Sequence, residues 1–278
     1  MATPSGVSKS APPCDPSTVF TGDNDRQKAL TIAAQYGRTK TAEKLLDRGA
    51  DVNACGDYGW SPLSHAAANG QTEMVKLMLD RGADVNAVNT FSQTVLMLAA
   101  LFDQTETAAM LLDRGADVNA TANDGRTALM EAAGIGHMKT AAMLLDRGAD
   151  VNAASTDGWT ALIEAVWNGN TETAAMLLDR DADVNATDND GETALIHAAA
   201  RGDTETAAML LDRGAKVNAA TTGGWTALIK AAVYGRAETA AMLLAAGADI
   251  HARDNVGKTA LVYATQGGHK EMMQLLRL

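Results

Sequence analysis

The feature that most constrains this chain is a segment that recurs every 33 residues. A motif close to Leu-Leu-Asp-Arg-Gly-Ala-Asp-Val-Asn returns at this interval. Its glycine stands at Gly49, Gly82, Gly115, Gly148, Gly214 and Gly247, and Asp181 takes the one remaining place. One ten-residue string occurs unchanged at 105–114, 171–180 and 204–213. A fixed period of this length is the signature of a repeat protein in which each unit is one supersecondary structure.

One repeat can be interpreted residue by residue. The Asn-Asp-Gly segment at 123–125 predicts a tight hairpin turn, because Asp-Gly supplies positive φ angles. Thr127 then stands where its hydroxyl can cap a helix, and Gly136 ends that helix. A second short helix follows and ends at Gly148 in the left-handed conformation. Helices this short are marginal alone, so the pattern predicts an all-α fold in which helix pairs stack into a solenoid.

The repeated motifs resemble those of the ankyrin repeat family. The matching patterns are Asp-x-Gly, Thr-x-Leu, Ala-Ala-x-x-Gly and Leu-Leu-x-x-Gly-Ala-Asp-Val-Asn, and they extend over about residues 24–278. The chain departs from the family's Thr-Pro-Leu-His pattern, since only Pro62 keeps the proline and no repeat keeps the histidine. The resemblance implies a domain of about eight repeats over residues 23–278, each with a β-hairpin loop and two helices. It also implies a concave groove, lined by the hairpins and first helices, that binds proteins.

Residues 1–22 differ from the repeats. Four of the five prolines of the chain lie there, among serines and threonines. This composition predicts a disordered N-terminal tail.

The charge balance limits the kind of partner. The formal net charge is −11, which opposes nucleic-acid binding and favours a protein or peptide partner with basic residues. No apolar run is long enough to cross a membrane, and the first residues lack a signal-peptide segment. We therefore expect a soluble protein that is a monomer when free and lies in the cytoplasm. A periplasmic or secreted location remains the alternative if a signal peptide was removed.

The two cysteines are Cys14 and Cys55. They are too few for a disulfide framework or a zinc finger. Two free thiols are the favoured interpretation, and one bridge from the tail to the repeats is the alternative.

No set of residues predicts catalysis. The histidines are scattered, and His65 and His197 are four repeats apart, too far to share a metal ion. No phosphate-binding loop is present, because the Gly-Gly pairs of the chain are not followed by Lys-Ser or Lys-Thr. The sequence therefore predicts a protein that is not an enzyme and has no metal site and no cofactor.

The positions that vary between repeats are the candidates for binding. Aromatic residues concentrate at these positions instead of at the fixed Leu and Ala positions, and protein interfaces favour such residues. An alternative is that the rings pack on one another and only stiffen the array. The predicted partner-binding residues are Tyr58, Trp60, His65, Phe91, Leu98, Leu101, Phe102, Glu131, Trp159, Glu164, Trp167, His197, Trp225 and Tyr234.

These observations predict a protein-interaction module that acts as an adaptor, an inhibitor or a scaffold. An alternative from another class is a receptor for a small cationic ligand or modified residue, held by Glu131, Trp159, Glu164 and Trp167. The similarity of the repeats also suggests an engineered binder, but the irregular repeat at 89–120 argues against it. That repeat has Ser92 and Asp103 where other repeats have glycine, and we expect its apolar residues to form the strongest contacts with a partner.

Overall fold

The computed structural model describes residues 24–277, so the tail predicted at 1–22 lies outside the described residues. Within residues 24–277 the chain forms sixteen α-helices in eight consecutive pairs. They are α1 (Asn24–Gln35), α2 (Thr39–Asp47), α3 (Pro62–Ala68), α4 (Thr72–Asp80), α5 (Val95–Leu101), α6 (Thr105–Asp113), α7 (Ala128–Ile135), α8 (Met138–Asp146), α9 (Ala161–Asn168), α10 (Thr171–Leu178), α11 (Ala194–Arg201), α12 (Thr204–Asp212), α13 (Ala227–Val233), α14 (Ala237–Ala245), α15 (Ala260–Gly267) and α16 (Lys270–Leu275).

Local sequence signals set the ends of these helices. The Thr127 hydroxyl accepts a hydrogen bond from the backbone N–H of Met130 at 3.3 Å, which caps α7. Gly136 ends the same helix with a φ of 86°, in the left-handed region that suits glycine. The predicted cap and stop are thus confirmed. Isolated antiparallel bridges, such as Ala154 with Thr160, close the hairpins between repeats.

The helices group into two compact units. The N-terminal unit contains the described residues 24–123 and 146–149, and the C-terminal unit contains 124–145 and 150–277. In the N-terminal unit, α3 packs between α1 and α5, and α4 packs between α2 and α6. In the C-terminal unit, α7, α9, α11, α13 and α15 pack in sequence, as do α10, α12, α14 and α16. Each unit is therefore a stack of helix pairs.

The first helix of each pair supplies most of the core. In α5, every residue from Val95 to Ala100 is buried, whereas α6 contributes only Thr107, Ala108 and Leu111. Across the described repeats, alanine is the most frequent buried residue. Small side chains let the helices pack closely, which explains how a chain with only 4% aromatic residues forms a continuous core.

An asparagine links each loop to the next. The side-chain amide of Asn53 donates to the carbonyl of Gly82 at 3.1 Å, and its oxygen accepts from the N–H of Asp84 at 3.0 Å. We call this pair of bonds the asparagine clasp. It recurs at Asn86, Asn152, Asn185 and Asn218. The clasp satisfies backbone groups that the end of each second helix would otherwise leave without partners.

Four described residues other than glycine have a left-handed backbone. The φ angles are 57° at Tyr58, 58° at Ser92, 56° at Asp103 and 65° at Asp181. The expectation of a positive φ at Asp181 is confirmed. A side chain costs free energy in this conformation, so these four positions carry local strain.

Cys55 is disulfide-bonded. The favoured expectation of two free thiols is therefore wrong, because it rested on the rarity of disulfides in most intracellular proteins and not on the surroundings of either cysteine. Cys14, the other cysteine of the sequence, lies outside the described residues.

Candidate functional site

Two variable positions of each repeat meet at the start of the first helix. The rim position directly follows the hairpin turn, and the inward position is the fourth residue of the first helix. The rim residue comes directly before the helix cap. The side chain of the residue before a cap commonly packs against that of the fourth helix residue, which is the inward position. The rim residues are Trp60, Gln93, Arg126, Trp159, Glu192, Trp225 and Lys258, and the inward residues are His65, Leu98, Glu131, Glu164, His197, Lys230 and Tyr263.

In the C-terminal unit, a single arginine satisfies two buried carboxylates. The Arg126 Nε lies 3.0 Å from Glu131 Oε1 in its own repeat, and its Nη1 donates to Glu164 of the next repeat. Glu131 and Glu164 are both buried. Burial raises the pKa of Glu164, while the charge of Arg126 acts in the opposite direction. Burial also opposes the charge of Arg126, but the two carboxylates outweigh it and raise the pKa of Arg126.

This arrangement changes the role that was predicted for Glu131 and Glu164. The sequence placed both among the predicted partner-binding residues, where their carboxylates would be open to a basic residue or a small cation. Arg126 of the chain itself occupies that place. The expectation of open carboxylates at these two positions is therefore wrong, because the arginine comes from the rim position and was not included in the predicted set.

His197 lies at the centre of a buried cluster. Its ring packs against Trp159 and Trp167, with both centroid distances 5.3 Å. Asp188 Oδ2 lies 3.5 Å from Nε2, and Glu192 Oε2 lies 3.2 Å from Nδ1. Burial lowers the pKa of His197, although the charges of Glu192 and Asp188 oppose this. Among residues 24–277, Asp188, Glu192 and His197 form the one group whose ligand atoms are close enough to hold a metal ion.

The same pairing continues along the C-terminal unit. Lys230 Nζ lies 2.5 Å from Glu192 Oε1 and 5.1 Å from the centre of the Trp225 ring. Trp225 in turn packs on Tyr263 at 5.1 Å, and Lys258 lies over the Tyr263 ring at 5.2 Å. The rim and inward residues of this unit therefore neutralise one another's charges and cover one another's apolar surface.

A small cavity opens beside this row of contacts. Its volume is about 280 Å³. It is lined by Asp124, Arg126, Ser155, Asp157, Trp159 and Glu164. Only Trp159 offers a large apolar surface there, so the lining suits water and polar groups better than an apolar side chain.

The N-terminal unit also presents aromatic residues to solvent. Tyr58 is 71% exposed, Phe91 is 56% exposed and Phe102 is 48% exposed. Tyr58 and Phe91 stand at hairpin tips, and Phe102 follows the end of α5. Leu98, by contrast, is only 1% exposed. Its predicted place on the binding surface is wrong, because α5 is buried on all sides at that position.

The predicted site residues therefore fall into three classes. Tyr58, Phe91, Phe102, Trp167 and Tyr234 are exposed. Trp60, His65, Leu101, Trp159 and Trp225 are half-buried, and His65 packs on Trp60 at 5.1 Å. Leu98, Glu131, Glu164 and His197 are buried.

Sequence reasoning missed Arg126, Asp188 and Glu192, which pair with predicted residues. It also missed exposed apolar residues, among them Ile135 and Val256, which are 33-residue counterparts of Phe102 and of the hairpin tips. Aligning the repeats and pairing each rim residue with the helix residue five positions later would have found Arg126 and Glu192.

The comparisons with known proteins agree with the repeat architecture. A family model described as ankyrin repeats (3 copies) matches residues 12–89, 30–122, 96–188, 182–254 and 224–277. No curated protein matches the chain. Among residues 24–277, no helix combines the length and the apolar character needed to cross a membrane.

Proposed function

Since the chain belongs to the ankyrin repeat family, whose repeats generally act as protein–protein interaction modules, we propose that it binds a partner protein or an extended peptide through its N-terminal unit. The observation that carries this proposal is the exposure of Tyr58, Phe91 and Phe102. Large exposed apolar side chains that group together mark interaction surfaces, and Tyr58 and Phe91 stand on hairpin tips that are hydrogen-bonded to each other. The family is typically non-enzymatic, and in this proposal the chain acts by binding alone.

The hairpin tips hold these rings in a fixed relation. The backbone N–H of Thr90 donates to the carbonyl of Tyr58 at 3.0 Å, which joins the tip of one repeat to the tip of the next. The Thr90 hydroxyl donates to the same carbonyl at 3.2 Å. An aromatic ring held in place loses little conformational entropy on binding, so Tyr58 and Phe91 are suited to be anchors.

Backbone strain lies beside two of the three rings. Ser92 follows Phe91 and Asp103 follows Phe102, and each has a positive φ where other repeats have glycine. Strain is tolerated where function requires a particular arrangement. Its position next to Phe91 and Phe102 supports a binding role for this repeat.

The partner offers basic residues around an apolar centre. The chain carries a net charge of −11, which attracts a cationic partner over a distance and accelerates association. The consequence for the partner is masking of the bound segment, inhibition or assembly with other proteins.

A comparative capture experiment tests the proposal. The wild-type protein and a Phe91→Ala/Phe102→Ala variant are used as bait in parallel, and captured proteins are quantified by mass spectrometry. The matched control is Trp167→Ala/Tyr234→Ala, which removes two exposed rings from the C-terminal unit. A partner lost with the first variant and kept with the second supports the proposal. A partner kept by the first variant and lost with the control contradicts it.

The alternative role as a receptor for a small cation has less support. Arg126 already supplies the positive charge between Glu131 and Glu164. A second cation beside it would be repelled. A thermal-shift screen with small quaternary ammonium compounds measures this alternative directly.

A further inference from the structure

The buried cluster around His197 contains an imidazole that the rest of the molecule does not explain. The residue is 2% exposed. Neither ring nitrogen makes a hydrogen bond within the described part of the chain, although carboxylate oxygens lie near both. A buried polar group without a hydrogen bond costs free energy, so an unsatisfied histidine calls for a functional explanation.

We propose that Asp188, Glu192 and His197 bind a divalent transition-metal ion, with Zn²⁺ the best match to their donor atoms. The set offers one imidazole nitrogen and two carboxylates, which are ligand types that Zn²⁺ takes in proteins. This inference does not depend on the proposed partner binding, since it concerns a different unit of the molecule.

The distances suit such an ion. One ligand atom from each residue lies within 4.8 Å of the other two. Asp188 Oδ2 and His197 Nε2 are 3.5 Å apart, and two tetrahedral ligands of Zn²⁺ with bonds of about 2.1 Å are separated by about 3.4 Å. The spacing between these two atoms is therefore close to that of a filled site.

The local backbone presents the Asp188 carboxylate to His197. The Oδ1 atom of Asp188 accepts the N–H groups of Asp190 at 3.0 Å and Glu192 at 2.8 Å. These bonds orient the side chain within the hairpin and leave Oδ2 directed toward the imidazole. A ligand oriented in this way by neighbouring hydrogen bonds loses little freedom on binding a metal.

Lys230 limits the affinity of the site. Its ammonium lies 2.5 Å from Glu192 Oε1, so it competes with a cation for that carboxylate. The same ammonium also lies over the Trp225 ring at 5.1 Å, which offers it an alternative contact once the metal binds. Replacing Lys230 with methionine should therefore strengthen metal binding.

The chain contains its own control for this site. His65 occupies the same inward position and packs on a tryptophan ring at 5.1 Å, as His197 does on two. Gly56 and Trp60 stand where Asp188 and Glu192 stand in the other repeat. His65 thus reports what a histidine at this position does without the carboxylates.

The test is a titration of untagged, EDTA-treated protein with CoCl₂, followed by tryptophan fluorescence and visible absorption. Trp159 and Trp167 contact the His197 ring, so bound Co²⁺ should quench them saturably with one equivalent. Added ZnCl₂ should then restore the fluorescence. Asp188→Asn, Glu192→Gln and His197→Ala should each weaken binding at least about tenfold, His65→Ala should leave it unchanged, and Lys230→Met should tighten it.

The proposal is overturned if no saturable quenching occurs, or if all variants bind Co²⁺ as the wild type does. The first result would show that the cluster does not hold a metal ion, and the second would indicate general attraction to an acidic surface. Asp188→Asn and Glu192→Gln keep the side-chain volume, so they remain informative if His197→Ala fails to fold.

Discussion

In the C-terminal unit, Arg126, Glu131 and Glu164 are joined in an ion-pair set, and Glu192 pairs with Lys230. In the N-terminal unit, the corresponding positions hold apolar or uncharged residues, and the nearby rings of Phe91 and Phe102 are exposed. The helices, caps and clasps of the two units are alike. The contrast shows that the scaffold residues determine the fold, while the residues at the variable positions differ between the units in how far they pair with one another.

The largest effect is expected from removing the cation of the C-terminal unit. Arg126→Met leaves Glu131 and Glu164 buried without a partner and should lower the free energy of unfolding by about 3 kcal/mol. Urea denaturation measures this loss. The matched change in the N-terminal unit is Gln93→Met at the equivalent rim position, which removes one neutral hydrogen bond from Asn89 and should cost about 1 kcal/mol.

The same variant has a predictable pH dependence. Burial already raises the pKa of Glu164, and without the opposing charge of Arg126 this pKa should rise further above its unfolded value. A carboxyl group with a raised pKa favours the folded state at low pH and loses that contribution as pH rises through the folded pKa. The deficit of Arg126→Met should thus be smaller near pH 4 than near pH 7. An equal deficit at both pH values would show that the lost contacts, not the charges, matter.

The next largest effect concerns binding by the N-terminal unit. Phe91→Ala or Phe102→Ala should weaken partner affinity by about 2 kcal/mol or more, as expected for aromatic anchors. Both rings are half exposed, so thermal stability should change little. Titration calorimetry with the captured partner, together with a melting curve, separates the two quantities. Unfolding of both variants with unchanged affinity per folded molecule would place the rings in the core.

A smaller effect separates the strained positions of the two units. Asp181→Gly should stabilise the protein by about 0.5–1 kcal/mol, because glycine relieves the positive φ. The equivalent glycines, such as Gly148 and Gly214, have no neighbour that an added Cβ would touch. We therefore expect backbone strain to account for most of the change in stability.

Ser92→Gly is the matched change in the N-terminal unit. The Ser92 hydroxyl lies 2.6 Å from Asn123 Oδ1, and losing this bond offsets the relief of strain. We expect little change in its unfolding midpoint, but weaker partner binding through the adjacent Phe91. If the unfolding midpoint rose as much as in Asp181→Gly, the hydrogen bond of Ser92 would not offset the strain, and the two turns would be equivalent in stability.

The smallest effect should come from the exposed ion pairs that both units share. Arg81 lies 2.9 Å from Asp47 in the N-terminal unit, and Arg213 lies 2.7 Å from Asp179 in the C-terminal unit. Both aspartates are more than half exposed, so Arg81→Ala and Arg213→Ala should each cost about 0–1 kcal/mol. A marked difference between them in chemical denaturation would mean that this face is not equivalent in the two units.

Most of the fold could be predicted from sequence because its determinants are local. The Thr127 cap and the Gly136 stop each act within four residues, and the 33-residue period repeats them. The glycine positions also predicted the φ of Asp181, since a stacked repeat must keep the turn even when the residue changes.

The site was harder to predict because its contacts are not local. Glu164 is satisfied by Arg126, which precedes it by 38 residues and belongs to another repeat. Leu98 and Glu131 occupy the same inward position, yet one joins the apolar core and the other an ion pair. Glu164 shows why a single repeat considered alone is not enough, since its partner Arg126 comes from the preceding repeat.

The asparagine clasp has a consequence for how such a chain changes over generations. Each clasp presents the same donor and acceptor to the following loop, at Asn53 as at Asn185. An unequal exchange between two copies of the gene that removes or duplicates a whole 33-residue segment inside one unit would leave matching bonds at the new junction. The number of repeats can therefore change by whole 33-residue segments, without an intermediate that lacks the asparagine clasp at the new junction.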